Sequence, residues 1–182
     1  MFNPPAADLH SREPLIYTPS TTAIWYRSHK AGRNPGDYGV LNLGTDERCA
    51  FMESIRRGLL RTRFVPASQL KALEFSKIRF SMELRLVDLV ASAGLTRLGA
   101  AGSLANGLGY RNSQKWSEAL RSHPTKPDGI YYRSRYDPPL ASCALYDHSQ
   151  PFVEVVENCG TGASQPVLLG SILDHYQFGT DL

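Results

Sequence analysis

Long apolar segments and closely paired cysteines are both missing from this sequence. No run reaches the roughly 18 consecutive apolar residues that cross a bilayer, so we expect no membrane span. The only cysteines are Cys49, Cys143 and Cys159. This odd, scattered set favours a reducing cytoplasm over a disulfide framework. Residues 1–19 lack the basic start and apolar run of a secretory signal, so we expect a cytoplasmic protein.

A strong charge excess and a metal-ligand pattern are also absent. Lys and Arg number 20 against 17 Asp and Glu, a net charge of +3, and no dense basic arm is present. This balance suits an anionic small molecule as well as it suits RNA. The histidines and cysteines show no ligand spacing, so no metal is predicted. Gly160-Thr161-Gly162 lacks the glycines and lysine of a phosphate loop and is interpreted as a turn.

What is present is the composition of a folded domain. Hydrophobic residues make up 42% and charged residues 20% of the 182 residues, a globular balance. This length supports one substantial core but not a second independent domain. We expect residues 1–21 to form an extended N-terminal segment, because they are rich in proline, and residues 22–182 to form a single domain.

The pattern of apolar residues predicts strands and helices in irregular order. Strands are predicted at 22–27, 39–43, 78–86, 129–134, 141–146 and 152–157, and helices from 45 or 46 to 58, from 112 to 123 and from 167 to 178. The regular alternation of a doubly wound sheet is missing. An α+β architecture with mixed sheets is therefore favoured.

One acidic residue, Glu53, falls in the middle of the first predicted helix. Phe51, Ile55 and Leu59 share a stripe at a spacing of four residues, whereas Glu53 lies on a different face with Cys49. The helix would bury the stripe, so Glu53 could face a cleft. Without further context, it would be an exposed residue paired with a nearby arginine.

Four short motifs in a fixed order resemble the RES family, which is named for its Arg, Glu and Ser. They are Trp25-Tyr26-Arg27, Tyr38-Gly39-Val40-Leu41-Asn42-Leu43, Cys49-Ala50-Phe51-Met52-Glu53 and Asp128-Gly129-Ile130-Tyr131-Tyr132-Arg133-Ser134. With the predicted C-terminal helix, the resemblance runs from about Thr22 to Phe178. The resemblance depends on the order and spacing of the motifs, because each motif alone is short.

The resemblance implies a fold similar to ADP-ribosyltransferases, with two small mixed or antiparallel sheets that form a cleft for NAD and are flanked by helices. It implies a toxin of a bacterial toxin–antitoxin system that consumes NAD as its substrate. The implied partner is an Xre-like helix-turn-helix antitoxin encoded nearby. No helix-turn-helix signature occurs in this chain.

The resemblance also implies roles for individual residues. Arg27 would bind the diphosphate or the adjacent ribose, because a guanidinium can contact phosphate oxygens in two places. Glu53 would stabilise the positive charge that develops on the ribose as nicotinamide leaves. Ser134 would donate a hydrogen bond to the substrate or hold Glu53 in orientation. Where the family often has tyrosine this sequence has Asn42, and Tyr38 is the candidate to replace it by stacking on the nicotinamide.

Three functions stay open at this point. The first is cleavage of the nicotinamide–ribose bond of NAD by water or phosphate. The second is transfer of ADP-ribose to a protein or nucleotide target, with the same site. The third is a nucleic-acid-binding module that would use the basic run Arg56, Arg57, Arg61 and Arg63.

Overall fold

The computed structural model describes residues 9, 12–19, 25–30, 38–55, 61–100, 104 and 110–182; for residues 25–30, 110 and 111 it describes the backbone alone. Its strands are β1 (Ile16–Tyr17), β2 (Trp25–Lys30), β3 (Val40–Gly44), β4 (Leu73–Phe80), β5 (Leu86–Asp88), β6 (Gly129–Arg133), β7 (Ala141–Tyr146) and β8 (Val153–Thr161). Its α-helices are α1 (Glu47–Ser54), α2 (Ala67–Lys71), α3 (Gly94–Leu98), α4 (Tyr110–Arg121) and α5 (Pro166–Tyr176).

All these strands belong to one mixed sheet in the order β1-β5-β6-β7-β3-β2-β4-β8. Strands β5 and β6 run parallel, and the other described neighbours are antiparallel. The sheet has two portions, β1-β5-β6-β7-β3 and β2-β4-β8. In the described residues the portions meet at one register pair, Tyr26 opposite Gly44. The two sheets expected from the sequence are therefore two portions of one hydrogen-bonded sheet.

The sheet encloses one apolar cluster and carries two more on its other side. The enclosed cluster joins residues from both portions: Leu43, Ile78, Phe80, Leu84, Leu86, Cys143 and Leu145. Because these distant strands share a core, the sheet must curve around it. Helices α1 and α5 bury a second cluster against β4, and helices α3 and α4 bury a third against β5. The helices thus cover the outside of the curved sheet.

The N-terminal residues take part in this packing. Leu9 is 2% exposed and lies in the cluster under α3 and α4. The Arg12 guanidinium donates to the Leu98 carbonyl at 2.6 Å, and β1 pairs with β5. The segment that we expected to lie extended before the domain therefore adds a strand and a core residue to it.

One predicted strand is wrong in its bounds. The alternation over 78–86 predicts one strand, but β4 begins at Leu73 and ends at Phe80, and β5 begins at Leu86. Met82, expected on the buried face, is 45% exposed. The two strands lie on either side of the same enclosed cluster, so the buried residues keep their alternation while the chain turns between them.

Candidate active site on helix α1

Helix α1 presents Glu53 because its other faces are already packed. The helix begins after Asp46, whose side chain accepts a hydrogen bond from the Cys49 backbone N–H at 2.8 Å. Phe51 and Met52 are buried in the cluster shared with α5. The Cys49 thiol lies 3.0 Å from the Ser142 hydroxyl of β7. Glu53 is left half-buried beside the end of β6, within hydrogen-bond reach of Tyr132 and Ser134.

Two hydroxyl groups hold the two carboxylate oxygens of Glu53. The Ser134 hydroxyl donates to Oε1 at 2.8 Å. The Tyr132 hydroxyl donates to Oε2 at 3.3 Å. The backbone N–H of Arg135 also interacts with this carboxylate. Residues 81 positions apart therefore meet in one hydrogen-bonded group, as the RES motifs predict for Glu53 and Ser134.

The single hydroxyl proton of Ser134 is committed to Glu53. Ser134 is 1% exposed. Its oxygen accepts from the backbone N–H groups of Tyr136 and Asp137, each at 3.3 Å. A serine hydroxyl has two acceptor positions and one proton. Because both acceptor positions are used, the proton can only point to the carboxylate, which favours the orienting role for Ser134 over direct donation to a substrate.

Burial and hydrogen bonding act on Glu53 in opposite directions. Burial raises the pKa of the carboxyl group above its ordinary value. The hydroxyls of Ser134 and Tyr132, the Arg135 N–H and the Arg135 charge each oppose that rise, in decreasing order. Burial and the adjacent carboxylate raise the pKa of Tyr132 well above its ordinary value. Tyr132 therefore stays protonated and remains a donor.

Arg27 lies on the strand beside this helix. It sits in β2, with its backbone opposite Ser76 of β4. Helix α1 contacts both β2 and β3. The side chain of Arg27 is outside the described residues. The backbone alone places the strand of Arg27 and the helix of Glu53 next to each other.

The structure places Tyr38 away from the Glu53 group. Its hydroxyl donates to the Ser117 hydroxyl at 3.2 Å, and the Arg121 guanidinium lies 5.0 Å from its ring centre. Its ring also meets Tyr146 edge to face. On β7, Tyr146 lies four residues from Ser142, the partner of Tyr132, a separation of about 13 Å. Tyr38 therefore makes no described contact with Glu53, Ser134 or Tyr132.

Asn42 lies between these two regions. It is exposed and pairs with Ala144 of β7. Its neighbours Leu41 and Leu43 pack in the enclosed cluster, so strand alternation puts the Asn42 side chain on the opposite face. That is the face on which Ser142 meets helix α1. The residue is thus open to solvent on the face of the sheet that carries the candidate site.

Two residues of the site were not assigned by sequence. Tyr132 has no assigned role among the RES-like motifs, and Arg135 lies just after the last of them. Tyr132 was detectable, because alternation in β6 puts it on the same face as Ser134, two residues later. The role of Arg135 depends on the turn after β6, whose conformation the sequence did not indicate.

Other expectations concern metals, membranes and nucleic acid. Among the described residues, no group of three or more His, Cys, Asp or Glu could hold a metal ion. In the same part of the chain, no helix is long and apolar enough to span a membrane. Arg56 and Arg57 of the basic run lie outside the described residues, and the Arg63 guanidinium donates to the Gln177 side chain at 3.3 Å.

The curved mixed sheet with helices on its outer side confirms the expected α+β class, and a solved structure shares this fold. The crystal structure of the M. tuberculosis MbcT–MbcA toxin–antitoxin complex contains a chain that aligns with a TM-score of 0.64 and 13% identity, covering 88% of this chain and 94% of that chain. The RES domain model matches residues 10–167. The chain therefore belongs to the RES-domain family, as its ordered motifs indicate.

A curated relative supports the same assignment. The protein named "Probable toxin y4kH" from Sinorhizobium fredii (strain NBRC 101917 / NGR234) is 32% identical over 88 residues. The match covers 48% of this chain and 68% of the relative. Family and relative together class this chain among RES-domain toxins.

Proposed function

We propose that this chain is the toxin of a bacterial toxin–antitoxin system and that it consumes NAD by cleaving the nicotinamide–ribose bond. The observation that carries the proposal is the Glu53 carboxylate, held by Ser134 and Tyr132 beside the strand of Arg27. The family membership and the toxin relative support the same function.

Cleavage of the nicotinamide–ribose bond requires a fixed anion near the ribose. As the bond breaks, nicotinamide leaves with the bonding electrons and the ribose gains oxocarbenium character, as in glycoside hydrolysis. Ionised Glu53 stabilises that charge, because a carboxylate fixed in advance needs no reorganisation as the charge forms. Water or phosphate then adds to the ribose carbon, and its proton is released to solvent.

Different residues serve binding and orientation in this proposal. Arg27 binds the diphosphate or the adjacent ribose. Ser134 and Tyr132 orient Glu53 through their hydroxyls. Asn42 is a proposed contact for the dinucleotide, because it is exposed on the face of the sheet that carries the candidate site. Tyr38, whose ring meets Tyr146 of β7, is proposed to contact a part of the dinucleotide remote from Glu53. No metal takes part.

The decisive experiment follows the cellular NAD pool. Wild type and Glu53→Ala would be induced in a bacterial host in which NAD is measured over time. A fall in NAD with wild type alone supports the proposal, and an unchanged pool with growth arrest refutes it. Glu157→Ala, at an exposed residue paired with Lys77 at 2.6 Å, is a matched control that should retain the fall.

A purified-protein assay separates the three possible reactions. NAD labelled in its ADP-ribose part would be incubated with the protein, with and without inorganic phosphate. Hydrolysis releases labelled ADP-ribose, and phosphorolysis releases its phosphorylated form only when phosphate is present. Transfer leaves the label on a macromolecule once a lysate is added.

The proposed partner is an antitoxin with an Xre-like helix-turn-helix, encoded beside the toxin, in the same cytoplasm as the NAD pool. The M. tuberculosis structure of the same fold is a toxin–antitoxin complex, which supports the presence of an antitoxin. Co-expression of the neighbouring gene should restore the NAD pool, and the two proteins should co-purify.

A further inference from the structure

Helix α5 brings a tyrosine to the turn that follows β6. Most of the helix lies beyond residue 167, where the match to the RES domain model ends. Leu169, Ile172 and Leu173 bury it in the same cluster as Phe51 of helix α1. At its last residue, the Tyr176 hydroxyl donates to the Asp137 carboxylate at 2.5 Å. The helix is therefore anchored both to the core under Glu53 and to this turn.

A continuous series of hydrogen bonds leads from Tyr176 to Glu53. The Asp137 side chain accepts from Tyr176, and the Asp137 backbone N–H donates to the Ser134 hydroxyl. Ser134 in turn donates to Glu53. Two backbone bonds close the turn, from Leu140 N–H to the Asp137 carbonyl at 2.9 Å and from Ser134 N–H to the Leu140 carbonyl at 2.8 Å.

We propose that Tyr176 is a positioning residue for the Glu53 site, acting by holding Asp137 so that the turn 134–140 directs the Ser134 proton at the carboxylate. The inference rests on the proposed function, since it concerns the group assigned to NAD cleavage. It goes beyond that function because the positioning comes from a helix that the family match scarcely includes. Tyr176 itself touches neither Glu53 nor Ser134 in any described hydrogen bond.

The charged surroundings keep the Tyr176–Asp137 bond in place. Burial and the adjacent Asp137 carboxylate raise the pKa of Tyr176, so its hydroxyl remains a donor at neutral pH. Arg48, on the first turn of helix α1, opposes this rise, but less than burial and Asp137 promote it.

Loosening the turn should change the titration of Glu53 in a known direction. The Ser134 hydrogen bond is the largest influence that lowers the pKa of this buried carboxyl. The other groups that face it are Tyr132 from β6, Arg135 from the turn and Cys49 from its own helix. If Ser134 loses its orientation, the pKa of Glu53 rises further, and ionised Glu53 is lost at a higher pH than in wild type.

The test uses Tyr176→Phe, which removes one oxygen and keeps the ring in its packing position. We expect kcat for NAD to fall about tenfold, with KM unchanged, because small misplacements of a reacting group cost rate rather than binding. The acidic limb of the kcat–pH profile should move to higher pH. Asp137→Ala should have a similar effect, and the double variant should be no slower than Asp137→Ala alone, because both changes break one series of bonds.

A second measurement tests the positioning role of Tyr176 independently of NAD cleavage. NMR titration of the Glu53 carboxyl, in wild type and Tyr176→Phe, requires no NAD. A raised pKa in the variant supports positioning even if wild type fails to cleave NAD, which would refute the proposed function alone. An unchanged Glu53 titration, or a rise in KM with constant kcat, would overturn the positioning role.

The control is Asp181→Asn. The Asp181 carboxylate accepts from the Ala67 backbone N–H at 2.6 Å and anchors the C-terminal segment outside the turn. Its substitution should leave kcat, the pH profile and the Glu53 titration as in wild type. A shift of the same size in this variant would mean that general loosening of the C-terminus, and not the Tyr176–Asp137 bond, moves Glu53.

Discussion

Replacement of Glu53 by glutamine should strongly reduce turnover while leaving the fold intact. The amide matches the carboxylate in shape but carries an NH₂ group where one oxygen accepted a bond. Ser134 can only donate, because its acceptor positions are filled by two backbone N–H groups. The amide oxygen must therefore face Ser134. Its NH₂ then faces Tyr132, whose hydroxyl can rotate to accept.

The expected magnitudes follow from this arrangement. The Ser134 bond is kept and the Tyr132 bond is reversed, so at most the bond from the Arg135 N–H is lost and the free energy of unfolding should stay within about 1.5 kcal/mol of wild type. Loss of the charge that stabilises the transition state should reduce kcat about a hundred- to a thousandfold, equivalent to roughly 2.7–4 kcal/mol. Stability and activity should therefore separate clearly in this variant.

The pH dependence of stability adds an independent check. Because burial raises the folded pKa of Glu53 above its unfolded value, the folded state binds the proton more tightly. Its contribution to stability is full below the unfolded pKa and is lost as pH rises through the folded pKa. Wild type should therefore lose stability relative to Glu53→Gln as pH rises from the unfolded pKa of the carboxyl group through its raised folded pKa.

The assay is nicotinamide release measured by chromatography, with urea denaturation at each pH. Glu157→Gln, which removes an exposed carboxylate, should retain turnover and change stability by less than about 1 kcal/mol. Turnover of Glu53→Gln within a few-fold of wild type would refute the catalytic assignment. A stability difference independent of pH would refute the assigned direction of the pKa shift.

Three further changes test the site and its support. Ser134→Ala removes a hydroxyl that is 1% exposed, accepts from two backbone N–H groups and donates to Glu53, so it should cost about 1–3 kcal/mol in urea denaturation; a smaller loss would contradict this bonding role. Gly44→Ala should destabilise more than a surface substitution, because the added carbon would lie 2.5 Å from the backbone nitrogen of Ala50 in helix α1; normal melting would show that the helix can move. Burial raises the pKa of the Cys49 thiol to about 11, so thiol reagents at neutral pH should label the more exposed Cys159 first, with mass spectrometry identifying the site.

The fold was predictable where local pattern and tertiary packing agree. The strand over 141–146, the helix start at 45 or 46 and the C-terminal helix follow from alternation, side-chain capping and apolar spacing, and each occurs in the structure, with Asp46 as the cap. The end of β4 at Phe80 was not predictable from the alternation of apolar residues. Both β4 and β5 face the enclosed cluster, so the alternation continues across the turn between them. The junction at Tyr26 and Gly44 depends on which strands pair, and local sequence does not contain that information.

Only those site residues that belong to the RES-like motifs were predictable from the sequence. Glu53 and Ser134 came from the RES resemblance, and the structure joins them. Tyr176 lies 39 residues from Asp137, and no periodic signal links the two. Contacts between side chains so distant along the chain arise from the packing of whole helices, which a single sequence does not reveal.

The choice of neutral donors around Glu53 has a physical reason. A lysine or arginine paired directly with the carboxylate would also favour its ionised form, but it would cancel much of the field that the proposed reaction uses to stabilise positive charge on the ribose. Hydroxyls orient and stabilise the anion without adding an opposite full charge. Of the influences that oppose burial at Glu53, the Ser134 and Tyr132 hydrogen bonds are the largest and the Arg135 charge is the smallest. Among the influences that favour the ionised carboxylate, the hydroxyl dipoles therefore outweigh the Arg135 charge.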